Sequence, residues 1–359
     1  MNMRIPRKVQ KFAIDFRRIS FLVFCLVYPV SSQSVWTQQQ SGVEDTLLNV
    51  KAVNENDVWV SGTGGCVLRT VDGGSSWEKR FTPLRAFDNV CVEPLDSSIA
   101  WVVSIDASSG TDFRIFKTSD GGRNWKQVFR TLHTFGDAVR FFDRDDGIAL
   151  GDPYPGARFN VYTTSDGGEN WTRVARSNIP AADSAKNEFG VTACLSVYGD
   201  DAWFATASQA KEFHPRVYHT TDRGMSWTVS HPIDGLTGIA VSIEFEDESN
   251  GIVVDNLGGK WARTTDGGSS WNVRDIGKLL WLRDMKEIPG TFSLMICGGE
   301  PDSGYVYELS AGDSSWRALR LPPGTKRVRS IAFGSPGQGW GVGGGGDIIK
   351  WTSIRKSDR

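Results

Sequence analysis

Metal-binding spacing is missing from this chain. It has only four histidines and five cysteines in 359 residues, and no C-x-x-C pair. That excludes the common structural zinc modules and gives no reason to expect a bound metal. Long hydrophobic runs are also missing. The one extended apolar stretch, Ile19 to Val30, is of signal-peptide length and too short to span a bilayer comfortably. No segment reads as a long Ala/Leu/Glu/Lys helix, and positive charge is not in excess. What is abundant is glycine (40), tryptophan (14) and phenylalanine (19), the composition of an all-β protein with many tight turns.

Residues 1–32 read as an export signal. Arg4, Arg7, Lys8, Lys11, Arg17 and Arg18 form a basic head before the apolar run, and Val30 and Ser32 suit a cleavage site. Removing its six basic residues and one acidic residue leaves 34 against 41, a net charge of −7. Nucleic acid is therefore not the expected partner, since phosphate binding wants a basic surface. No stable membrane span is expected after cleavage. Cys66, Cys91, Cys194 and Cys297 remain, far apart in sequence and set among strand-like residues, and read as buried thiols.

One motif then recurs. It reads Thr70-Val-Asp72-Gly-Gly-Ser-Ser-Trp77 and returns with Asp120 and Trp125, Asp166 and Trp171, Asp222 and Trp227, and Asp266 and Trp271. A sixth copy, Ser310 to Trp316, has decayed. The tryptophans fall 48, 46, 56, 44 and 45 residues apart, about one four-stranded propeller blade each. Each motif follows one strand and precedes another, so it forms a hairpin between the third and fourth strands. The aspartate can accept turn N–H groups, the threonine adds a local bond, and the glycines take left-handed positions. The tryptophan starts the outer strand and is expected to bury its ring between sheets. These aspartates belong to separate blades and cannot converge on one site.

After Trp316 come three more strands, Val328–Phe333, Gly339–Gly343 and Asp347–Thr352, with no motif behind them. The segment Val35-Trp36-Thr37-Gln38 looks like the missing outer strand. Joining it to the C-terminal strands closes a ring of seven blades and hides the sheet edges. The expected architecture is an all-β, seven-bladed β-propeller over residues 33–353, with a polar tail at 354–359.

The motifs are Asp-box (BNR) repeats. In the T-x-D-G-G-x-x-W form the chain most resembles the photosystem II stability/assembly factor-like propellers, within the wider group that includes sialidases. The resemblance covers Trp36 to Trp351 and implies a non-catalytic assembly factor that binds a protein. It does not by itself imply a photosynthetic partner. A sialidase needs three arginines, a tyrosine nucleophile with its glutamate, and an aspartic acid/base. The Arg-Ile-Pro signature is absent, and Phe113-Arg114-Ile115-Phe116 is only an echo of it. Tyr162, Tyr218 and Tyr307 sit at a packing position, which leaves Tyr154 alone on the opposite face. Gly341–Gly346 lacks the strand–turn–helix setting of a dinucleotide loop, so no cofactor is expected.

Loops opposite the Asp boxes carry the candidates for contact: Asp152, Arg158, Glu188, His214, Arg327 and Arg329. Asp152 stands out because its flanking turn residues fix its direction. A protein is the expected partner and a glycan the alternative. The competing function is a secreted glycoside hydrolase built on two of the loop carboxylates.

Overall fold

The computed structural model describes residues 33–154, 157–210, 212–256, 259–277 and 281–354. The expected signal segment, residues 1–32, and the tail beyond 354 lie outside the described residues. Seven four-stranded antiparallel sheets follow one another along the chain. Blade 1 is typical, with strands Leu47–Ala52, Val58–Gly62, Cys66–Thr70 and Glu78–Phe81 in sheet order. Blade 7 takes its outer strand from the other end of the chain. Gln33–Gln39 pairs antiparallel with Ile348–Ile354, placing Trp36 opposite Trp351.

Burial falls from the inner strands to the outer ones, and the sequence follows it. Second strands such as Val58–Gly62 are buried at every position. They are covered on both faces by neighbouring blades, so they read as unbroken apolar runs rather than alternations. The outer strand Glu78–Phe81 alternates half-buried and exposed. Trp59, Trp101, Trp203 and Trp340 occupy second strands and are the largest fully buried side chains. Trp101 of blade 2 stacks at 3.7 Å on Phe141 of blade 3, and Trp203 of blade 4 at 3.9 Å on Phe245 of blade 5. Such pairs contribute about 0.5–1.5 kcal/mol beyond the area they bury.

The Asp boxes fold as their residues require. In blade 1 the Thr70 hydroxyl donates to Asp72 at 2.7 Å and accepts the Gly74 N–H at 2.8 Å. Asp72 also accepts the Ser76 N–H and hydroxyl, at 2.9 and 2.6 Å. The same bonds recur at Asp120, Asp166, Asp222 and Asp266. Gly73 and Gly74, at φ 68° and 85°, show why two glycines are needed. In blade 4 Arg223 replaces the first of them at φ 55°. Its guanidinium reaches Asp200 at 2.7 Å, Asp143 at 2.6 Å and also Asp146.

The box tryptophans differ from expectation. Trp77, Trp125, Trp171 and Trp271 are half-buried, and only Trp227 of the five is fully covered. Each sits just before the outer strand, at the rim of the ring. Trp125, for example, meets Trp59 of the preceding blade edge to face. The four cysteines are free and buried, in blades 1, 2 and 6 and beside the inner strand of blade 4.

Candidate functional site

The seven inner strands line a central channel. Its half nearer the Asp boxes is a cavity of about 300 Å³ lined from all seven blades. Lys51, Glu93, Arg140, Glu244 and Lys286 project there, and these charges are matched. Arg140 lies 3.2 Å from Glu93, and Lys286 lies 2.9 Å from Glu244. Asp284 accepts the hydroxyls of Ser242 and Ser330 at 2.8 and 3.0 Å. Burial, then the Arg140 guanidinium, pulls Lys51 down to about 8. The charges of this network are paired between neighbouring blades, Lys51 and Arg140 with Glu93 and Lys286 with Glu244.

The other end of the channel is different. Every inner strand except that of blade 4 carries a β-bulge near its start, leaving one residue outside the pairing register. These residues are Leu48, Val90, Asp137, Val241, Arg283 and Arg329. A bulge re-aims a side chain, and here it turns a ring of side chains toward the channel mouth. Leu48, Val90, Val241, Arg283 and Arg329 line a mouth cavity of about 260 Å³. Asp137, Asp152 and Arg283 line an adjoining one of about 330 Å³, with walls that include Phe135, Phe189, Val191 and Ile239.

On the side of blades 6 and 7 the mouth is basic. Burial, then the Arg327 charge, pulls Arg283 below the ordinary arginine range, and burial with Arg283 and Arg327 does the same to Arg329. Arg283 Nε is buried without a hydrogen-bond partner. Arg327 donates from Nε to the Gly299 carbonyl at 2.6 Å. Among the described residues none of the three forms an ion pair. Clustered guanidinium groups without a carboxylate are a ready receptor for an anionic group.

On the side of blade 3 the mouth is acidic. Asp152 accepts the Gly190 N–H at 2.7 Å, and its backbone is pinned by Thr134 and Asn160. Burial raises Asp152 to about 6. Asp137 is 1 % exposed, and burial followed by the Asp152 charge pushes it well above the usual carboxylate range.

The six loop candidates therefore do not form one site. Arg327 and Arg329 come together, and Asp152 joins the same mouth. Glu188 is not open to a partner: its side chain is fully buried and bonded to Arg216, at 3.1 Å for one of the two contacts. It closes the link between blades 3 and 4. Arg158 donates to the Ile179 carbonyl, and His214 Nδ1 lies 2.7 Å from the Leu236 carbonyl. His214 lines a separate cavity of about 420 Å³ outside blade 4. Arg283 and Asp137 escaped the loop-based reading because they lie on inner strands. Aligning the blades exposes them: Leu282-Arg283-Asp284 and Gly136-Asp137-Ala138 match Val328-Arg329-Ser330, where other blades have Leu48, Val90 or Val241.

The profile of the "Photosynthesis system II assembly factor YCF48" family matches residues 28–129. Over 68 residues the chain is 34 % identical to the photosystem II assembly lipoprotein Ycf48 of Synechococcus sp. (strain RCC307) and 32 % identical to that of Prochlorococcus marinus. Each match covers 19 % of this chain and about a fifth of the length of the relative. Across the whole ring the likeness is one of fold. A structure of YCF48 bound to a D1 peptide superposes with a TM-score of 0.66 at 18 % identity, covering 89 % of this chain and 97 % of that one. A streptogramin B lyase gives 0.67 at 13 % identity, covering 89 % and 98 %. The resemblance read from the repeats is borne out, with the assembly-factor sequence signature in the first two blades and the same fold throughout.

Proposed function

We propose that this protein is an exported, non-catalytic propeller that binds a protein partner through the channel mouth opposite its Asp boxes. The observation that carries the reading is the cluster of Arg283, Arg327 and Arg329, brought together from two blades, with Arg283 and Arg329 lining one mouth cavity and none of the three in an ion pair among the described residues. Such a cluster suits a carboxylate of an extended peptide segment, held in bidentate fashion. The peptide-bound relative supports a peptide as the occupant class, and the lipoprotein relatives support export. No helix among the described residues is long and apolar enough to cross a membrane.

Two carboxyls at the mouth, Asp137 and Asp152, are what a hydrolase would use. They are held against a single residue, Gly190, on one wall of the cavity rather than facing each other across a gap. The arrangement favours binding over bond cleavage.

The test is binding of a short acidic peptide with a free C-terminal carboxylate, beside its amidated, uncharged analogue. The folded chain is expected to prefer the acidic form. An Arg283→Glu/Arg329→Glu variant is expected to lose about 100-fold in affinity, the usual scale for reversing a paired charge at an interface, with an unchanged melting temperature. Equal binding of both peptides, or full retention by the variant, would overturn the reading.

A further inference from the structure

We infer that the blade 3 wall of the mouth is a subsite for an organic monocation, in which Asp137 and Asp152 together receive one ammonium or guanidinium group of the ligand. The inference rests on the reading that the mouth takes a peptide, and adds that the peptide presents a lysine or arginine side chain to blade 3.

The geometry begins at Gly190. A Cβ on this residue would stand 2.4 Å from Asp137 Oδ2, so a larger residue here would have to push that carboxyl aside. The Gly190 N–H is already given to Asp152. One residue thus holds both carboxyls side by side, Asp137 from the bulge of the inner strand and Asp152 from the end of the second strand. Asp137 Oδ2 is buried and has no hydrogen-bond partner among the described residues. A buried oxygen left without a partner is costly, and this one lines a cavity that could supply it.

The neighbours of the pair decide the ligand class. From blade 2 the influence of Cys91 raises Asp137 further, and blade 5 contributes Asn256 to the lining. Arg283 of blade 6 reaches the cavity but forms no ion pair with either aspartate. Two carboxyls forced together retain one proton between them and carry about one negative charge. That charge fits a monocation. A divalent metal is a poor fit, because no group of three or more His, Cys, Asp or Glu side chains gathers among the described residues. Phe135, Phe189, Val191 and Ile239 supply apolar walls for the stem of a long cationic side chain. The mouth is therefore polarised, acid on blade 3 and base on blades 6 and 7, and would fix the direction in which a segment lies across it.

The probes are n-butylguanidinium chloride for the acidic wall and sodium butyrate for the arginines, titrated calorimetrically into the full chain near pH 6 in two buffers of different ionisation heat. Saturable butylguanidinium binding is expected, with the same heat in both buffers, because the pair keeps its shared proton and already carries the single negative charge the ligand matches. Asp137→Asn and Asp152→Asn should each weaken it about tenfold or more, the scale of one charge-assisted bond. Arg329→Glu should not weaken it and should remove butyrate binding. Neither Asn variant should unfold, since each removes a buried charge. No butylguanidinium binding to the folded chain, or binding unchanged in both Asn variants, would overturn the subsite. Butylguanidinium binding without butyrate binding would instead leave the subsite standing and count against the arginine reading.

Discussion

Aspartate serves opposite ends of this propeller in opposite states. At the Asp boxes the carboxyls lie at the surface, exposed or half-buried, and bonds from the turn hold Asp72, Asp120 and Asp166 down at about 2. At the channel mouth, burial lifts Asp152 to about 6 and Asp137 well above its usual range. The boxes satisfy their charge within a few residues of chain, so each is complete wherever the hairpin forms. The mouth pair is assembled from two strands and the Gly190 loop, and one oxygen is left over. The difference teaches that the boxes are scaffold and the mouth is where the fold leaves a group unsatisfied, which is the pattern expected of a binding site.

Removing the strained partner should have the largest effect on stability. Asp137→Asn is expected to stabilise the protein at pH 7 by about 1–3 kcal/mol, because the amide cannot ionise, whereas the buried carboxyl is destabilised as it ionises beside Asp152. The sign with pH follows from the raised folded-state values. A carboxyl that holds its proton more tightly when folded favours the native state at low pH and loses that advantage as pH rises. The gain of the variant over the wild type should therefore grow as pH climbs from about 4 through 6, measured by urea unfolding. A gain that stayed flat across this window would show that Asp137 is not the strained group.

The opposite result is expected at a box. Asp166→Ala removes the acceptor for Thr164, the Asn170 N–H and the Asn170 side chain. It should destabilise by about 1–2 kcal/mol, like loss of a helix cap, and leave peptide binding untouched. Here the wild-type advantage is present above about pH 4 and fades as pH falls toward 2, because the folded-state value is depressed. A drop in peptide affinity would break the division between scaffold and site.

The smallest effect should come from Arg223→Gly. It restores the glycine of the other boxes and relieves a left-handed φ, but loses contacts to Asp143, Asp146 and Asp200. Exposed ion pairs contribute little, so the two changes should cancel to within about 1 kcal/mol in a thermal melt.

The repeat, the blade count and the ring closure were readable from residues alone, because each depends on local patterns. The box spells its own turn, and Val35-Trp36-Thr37-Gln38 announces itself as an outer strand by its likeness to those behind every box. The box tryptophans were overvalued for the same reason. Their spacing shows that they repeat but not how far each ring is covered. At the mouth, Arg327 and Asp152 were nominated from their loops, and Arg329 with them, although it stands on the inner strand Val328–Ser335. Glu188 was misjudged because its partner Arg216 lies 28 residues away in the next blade.

The sequence by itself determined the architecture, through hydrophobic runs, turn glycines and a repeat period that act over a few residues at a time. Tertiary structure alone decided which charges remain unpaired. Lys51, Arg140 and Lys286 read no differently in sequence from Arg283 and Arg329, yet the first three meet carboxylates within the channel and the last two meet none among the described residues. Pairing depends on which blades become neighbours and on where a bulge turns a side chain, and both are settled only when the ring closes.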